Sequence, residues 1–113
     1  MQWVSLEDGL VTEHSSHGIH MTEVARLSAD GEFRVHVAEF RPGAVLGSHP
    51  TRLWQSFHVV AGSGWVCGHD GQRQPIRAGQ TVLWSPGEVH ESGSDGGMSV
   101  VITQAGSRLP DGD

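Results

Sequence analysis

The chain contains no Lys, Asn or Tyr, and its only cysteine is Cys67. A single thiol can neither close an intrachain disulfide nor build a Cys-rich zinc site. All seven basic residues are Arg, against thirteen Asp and Glu, and the net charge is −6. That balance leaves no basic face for nucleic acid or an anionic membrane, so neither is an expected partner. No apolar run approaches the length of a transmembrane helix. The N-terminal stretch MQWVSLEDGL has no basic region followed by an apolar one. It therefore carries no signal-peptide pattern, and the expected compartment is the cytoplasm. The missing Lys, Asn and Tyr have AT-rich codons, which points to a GC-rich bacterial genome. Helical patterning is also missing: no twelve-residue window shows a clean helical stripe, and His20 to Ser28 reads equally well as a strand.

What remains is glycine, histidine and short β-forming runs. The 113 residues have the size of one domain, expected to span 1–113, and suffice for one core without staples. The 16 glycines are about twice the ordinary frequency and imply many turns. Between them lie short runs rich in Val, Ile, Phe, Trp and Thr. Strands are expected at 2–6, 19–26, 32–40, 45–49, 53–60, 65–69, 75–77, 80–84, 89–92 and 98–103. Ala61 to Gly64 and Asp70-Gly71 read as hairpin turns. The spacing is that of an all-β sandwich or barrel with a core over about 32–103, and the polar tail 105–113 is expected to fray.

The eight histidines fall at 14, 17, 20, 36, 49, 58, 69 and 90. On an unbroken strand His49, Thr51, Leu53, Gln55, Phe57 and Val59 share one face. That face is apolar with a polar end, the pattern of a pocket at a barrel mouth or of a strand end in water. In the stretch GAVLGSHPTRLWQSFHVVAG, five residues separate Gly43 from His49, and six separate Gln55 from Gly62. In GQTVLWSPGEVHESGS, Gly79 is followed after five residues by Ser85-Pro86-Gly87, then by His90 and Ser94.

In register these two segments resemble the two motifs of the cupin family. Every spacing fits, and four identities depart: Thr51 stands for a His, Gln55 for a Glu, Ser85 for a Pro and Ser94 for an Asn. The sixteen residues between Gly62 and Gly79 match the short inter-motif distance of compact bacterial cupins. The resemblance implies an all-β cupin jelly-roll barrel, with a divalent transition metal (Zn, Mn, Fe or Ni) on His49, Gln55 and His90. Thr51, Leu53, Phe57 and Val59 would then line a substrate pocket. A Gln at the Glu position is similar to some cupin polyketide cyclases. It removes a negative charge from the ligand set, so the ion is held less tightly and polarises a bound group more.

Three functions stay open. The first is a Lewis-acid lyase, isomerase or cyclase acting on a small organic molecule. The second is a metal-free cupin that binds or senses a ligand. The third is an oxygenase that recruits a carboxylate from Glu88 or the N-terminal segment. Around the motifs, Trp54 and His58 lie out of phase with Gln55 and suggest an outer, homodimer-forming face. His14, His17 and His20 read as loop histidines, one of which could fold over the mouth as an extra ligand. Arg34 and His36 anchor substrate if their face is inside and are an ordinary wet face if outside; the outer placement is expected. Glu88 and Glu91 are expected as exposed turn carboxylates or rim bases, and Cys67 as a small buried hydrophobe.

Overall fold

A computed structural model describes residues 1–107. Part of the expected tail, 108–113, lies outside the described residues. The elements are β1 (Asp8–Leu10), a 3-10 turn (Glu13–Ser15), β2 (His17–Arg26), β3 (Phe33–Pro50), β4 (Trp54–Cys67), β5 (Gln74–Arg77), β6 (Thr81–Trp84), β7 (Val89–Ser94) and β8 (Met98–Ala105). All pairings are antiparallel. Among the described residues no helix is long and apolar enough to cross a membrane.

Two strands are much longer than their sequence suggests, and they build the barrel. The first part of β3 pairs with β2 and β8, and its second part, Ala44 to Pro50, pairs with β7. The first part of β4 pairs with β6 and β8, and Ser63 to Cys67 pairs with β5 and β7. Each long strand therefore passes from one sheet to the other, and the ring β3-β7-β4-β8 closes. The change of sheet happens at Gly43 and Gly62, whose φ values of 83° and 79° lie in the left-handed region that glycine enters without a steric penalty. Ala61 to Gly64 is accordingly a barrel corner and not a hairpin turn: Gly62 bends the chain but pairing continues through it. The 68–73 connection between β4 and β5 does turn back, closed by Gly71 N–H donating to Gly68 O at 3.0 Å. The expected strand at 2–6 does not form. The first strand begins at Asp8, which pairs with Thr22 on β2.

The barrel floor is a packed apolar core. Ile19, Ala38, Phe40, Phe57, Val59, Trp84, Met98, Val100 and Ile102 are buried and form one cluster. Phe57 packs edge-on against both Phe40 and Trp84, with centroids 6.1 and 5.5 Å apart. Along β4 burial alternates as a strand with one inner face requires: Gln55, Phe57 and Val59 are buried, Ser56 and His58 less so.

Candidate functional site at the barrel mouth

A cavity of about 560 Å³ opens above this floor. Its apolar wall includes Leu10, Val11, Met21, Leu46 and Ile102, and its polar wall His14, His36, His49, Gln55 and Gln104. The carboxylates Glu7, Asp8 and Glu13 also line it, whereas no Arg does.

His49 reaches the cavity because β3 is bulged. Leu46 pairs with Ser92 and His49 with His90, so β3 advances three residues where β7 advances two. Without that extra residue, Leu46 and His49 would point to opposite faces. Gly47, inside the bulge, is a junction. Its N–H donates to Ser16 Oγ at 2.9 Å, and its carbonyl accepts from His49 Nδ1 at 2.6 Å. A Cβ at this position would meet the carbonyl oxygen of His14 at 1.6 Å, so only glycine lets the N-terminal segment lie this close.

His49 and His90 are direct cross-strand partners with ring centroids 4.5 Å apart. Each ring is anchored in the same way. His49 Nδ1 faces Gly47 O, and His90 Nδ1 faces Glu88 O at 3.3 Å, so each uses the carbonyl two residues earlier. A carbonyl only accepts, so each Nδ1 carries a proton, and in the neutral ring Nε2 is then the nitrogen with the lone pair. Burial, and then the neighbouring His49, push the His90 imidazole down to a pKa of about 4, which keeps it neutral. Gln55 Nε2 donates to His90 Nε2 at 3.3 Å, while Gln55 Oε1 accepts from Gln104 Nε2 at 3.1 Å. His14, on the 3-10 turn, stacks on His49 with centroids 4.5 Å apart and planes 9° from parallel. Rings thus run in contact from Phe57 through Trp84 and His90 to His49 and His14.

The donor set can be tested against a divalent ion. Two imidazoles anchored through Nδ1 can each offer Nε2 to such an ion, that of His90 in exchange for its contact with Gln55, and their Nδ1–carbonyl bonds are the outer-shell support usual for ligating histidines. Gln55 joins the set with its amide turned over, so that oxygen and not nitrogen faces His90; its nitrogen then faces Gln104, whose amide must turn as well to accept from it. Among the described residues no three His, Cys, Asp or Glu side chains are grouped to hold a metal, so Gln55 is needed for a third protein donor.

The structure moves several sequence-predicted residues. Thr51, Leu53, Phe57 and Val59 are buried but do not line the cavity. The interior of a small barrel is filled by side chains, and Phe57 and Val59 belong to that filling. Thr51 Oγ1 donates to Leu53 O at 2.8 Å and lies 3.4 Å from Gln55 Oε1, so it braces the loop and the amide. Glu88 holds its own turn, accepting from Ser85 N and Oγ at 3.1 and 3.4 Å. Ser94 replaces the motif's Asn as a tie: its Oγ donates to Ser63 O at 2.6 Å and accepts from Gly97 N at 2.8 Å. Cys67 is buried, and Glu91 lies opposite it on β7. His58 sits half-buried on the outer side of β4, with Nδ1 2.7 Å from Thr81 Oγ1.

Arg34 and His36 face inward, contrary to the expected outer placement. They share parity with buried Ala38 and Phe40, and the buried carboxylate of Glu23 stands directly opposite His36 on β2. Glu23 Oε2 is 2.8 Å from both Nε and Nη2 of Arg34 and 3.4 Å from His36 Nε2, and Glu23 Oε1 is 3.0 Å from Arg26 Nε. The sequence signal for this placement was the parity of His36 with Ala38 and Phe40. Similarly, Gln104 follows Val100 and Ile102 at strand spacing.

No family model matches the chain. A curated protein of Granulicella tundricola, (R)-mandelonitrile lyase, is 40% identical over 55 residues, covering 49% of this chain and 42% of that protein. The chain thus matches less than half the length of that relative. Among solved structures, an RmlC-like cupin from Shewanella frigidimarina aligns with TM-score 0.71 and 20% identity over 91% of this chain and 86% of the other. The polyketide cyclase RemF from Streptomyces resistomycificus aligns with TM-score 0.74 and 17% identity over 97% and 82%.

Proposed function

We propose that this chain, which has the cupin jelly-roll fold, takes a small organic molecule into the barrel-mouth cavity and activates it beside a divalent transition metal held by His49, Gln55 and His90. The observation that supports this reading is the matched anchoring of the two imidazoles through Nδ1, which leaves Nε2 as the donor nitrogen of each ring on facing strands, with Gln55 already beside that of His90. When bound, the ion would supply Lewis-acid polarisation of a carbonyl or hydroxyl oxygen. The chain's own residues do the rest. Leu46, Met21 and Ile102 exclude water around the apolar part of the molecule, and Gln104, with its own amide turned, accepts from the turned Gln55 amide. A bond-cleaving or isomerising step of the lyase, isomerase or cyclase kind suits such a site, and the relative named as a mandelonitrile lyase supports the lyase form.

Metal analysis of untagged, unchelated protein tests this. Wild type is expected to bind close to one equivalent of Zn, Mn, Fe or Ni, and His90→Ala less than about a tenth of one. Benzaldehyde release from mandelonitrile is the first activity to assay. Wild type that takes up less than about a tenth of an equivalent of all four metals overturns the metal reading. It would favour a metal-free ligand-binding cupin, for which Thr51 in place of a third imidazole already speaks.

A further inference from the structure

The cavity lining includes a polar group that the motif residues do not explain. His36 lines the cavity from β3, and its Nε2 is 3.4 Å from Glu23 Oε2. Glu23 is almost fully buried, and it is neutralised by Arg26 and Arg34, whose guanidiniums turn to the carboxylate and do not line the cavity. The contact is electrostatic and not a hydrogen bond, and the negative oxygen favours the His36 tautomer that turns its N–H toward it, with the proton on Nε2. That leaves the Nδ1 lone pair as the nitrogen available to a molecule in the cavity. The same lining holds Glu7, Asp8 and Glu13 and no Arg, so it disfavours an anion.

We propose that His36, with Glu23 beside its Nε2, is the hydrogen-bond acceptor for a hydroxyl or ammonium group of the bound molecule, which makes the substrate class neutral or cationic and not anionic. The inference rests on the small-molecule reading above and does not require the metal. Glu23 acts through His36 as a positioning residue. Burial first, and then the Arg34 guanidinium, hold the imidazolium of His36 below its usual pKa, so the lone pair is present at neutral pH. The charged groups around it are Glu23 and Arg26 on β2, Arg34 on its own strand and Glu7 on the N-terminal segment; its partner on β8 is the apolar Ile102.

The test uses metal-free full-length protein and three probes: benzyl alcohol, benzylamine and benzoate. Long-range ¹H–¹⁵N spectra are expected to show His36 protonated on Nε2, with Nδ1 shifting on addition of benzyl alcohol or benzylamine. Benzoate is expected to bind at least about tenfold more weakly. His36→Leu, which keeps an apolar side chain in a half-buried place, is expected to weaken the first two probes by about tenfold while the melting temperature is retained. Glu23→Gln is expected to mix the His36 tautomers; if that variant does not fold, the wild-type tautomer and the His36→Leu affinities still decide. A proton on Nδ1, benzoate binding as tight as benzyl alcohol, or unchanged affinity in His36→Leu overturns this inference and leaves the small-molecule reading standing. Wild type that binds neither benzyl alcohol nor benzylamine overturns both.

Discussion

The inner face of β4 changes character within two residues. Gln55 stands at the barrel mouth, hydrogen-bonded to His90 and Gln104, and Phe57 and Val59 fill the floor. The two regions share strands, register and near-complete burial, yet they are held by different forces. The floor is held by apolar area removed from water and by close ring packing, which act without direction. The mouth is held by directional contacts that fix tautomers and amide orientation, and buried polar groups of this kind are tolerated only when partnered. The floor therefore sets how stable the protein is, and the mouth sets what it can bind.

Three substitutions test that division, beginning where the largest effect is expected. Phe57→Ala removes a fully buried ring from the floor and is expected to cost about 4 kcal/mol in a urea titration. The folded fraction should keep its binding stoichiometry; loss of binding by protein that remains folded would break the division.

Glu23→Gln acts at the mouth but through charge. The Arg26 guanidinium, and after it Arg34, outweigh burial and hold the Glu23 carboxyl below the usual carboxylate range. A depressed carboxyl contributes stability that is present above its unfolded value and lost as pH falls through its folded value. Urea titrations from pH 7 downward should show wild type losing stability below about pH 4.5. The variant should be weaker by about 2 kcal/mol at pH 7 but with a shallower acid slope. Equal slopes would mean that the cluster contributes nothing specific.

Gly47→Ala should have the smallest effect on stability, about 1 kcal/mol. Its Cβ displaces the His14 carbonyl, and with it a segment tied down by three β1–β2 residue pairs, the Val11 N–Ile19 O and Glu23 N–Glu7 O bonds, and its contacts with Gly47 and His49. Amide hydrogen exchange at 8–16 is expected to rise while the floor strands keep their protection. Protection lost equally in both regions would show that the segment is part of the core.

Much of the fold was legible from local pattern. The glycine spacing, the alternating β runs and the two-motif register of Gly43 to Ser94 pointed to a cupin barrel. The solved structures it resembles have that fold. The turn at Asp70-Gly71 was equally readable, because its chemistry is confined to neighbouring residues. Where the structure departs from the sequence pattern, the deciding contact comes from a distant strand. Gly62 could be taken for a hairpin turn because only its pairing with β8 and the β7 pairing just beyond it show that the chain runs on into the other sheet. Parity puts Phe57 and Val59 on the pocket-facing side because it gives the face of a strand and not the depth along it.

Sequence by itself determined which residues alternate, where glycine frees the chain to bend, and that His49, Gln55 and His90 stand at motif spacing. These are properties of neighbours along the chain, set by backbone stereochemistry. Only the tertiary structure decided that a bulge at Gly47 re-aims His49, that His14 lies against it, and that Arg34 and His36 turn inward. The reason is physical. An inward polar residue is stable only if a partner meets it there, and for His36 and Arg34 that partner is Glu23, brought opposite by the register of β2 against β3.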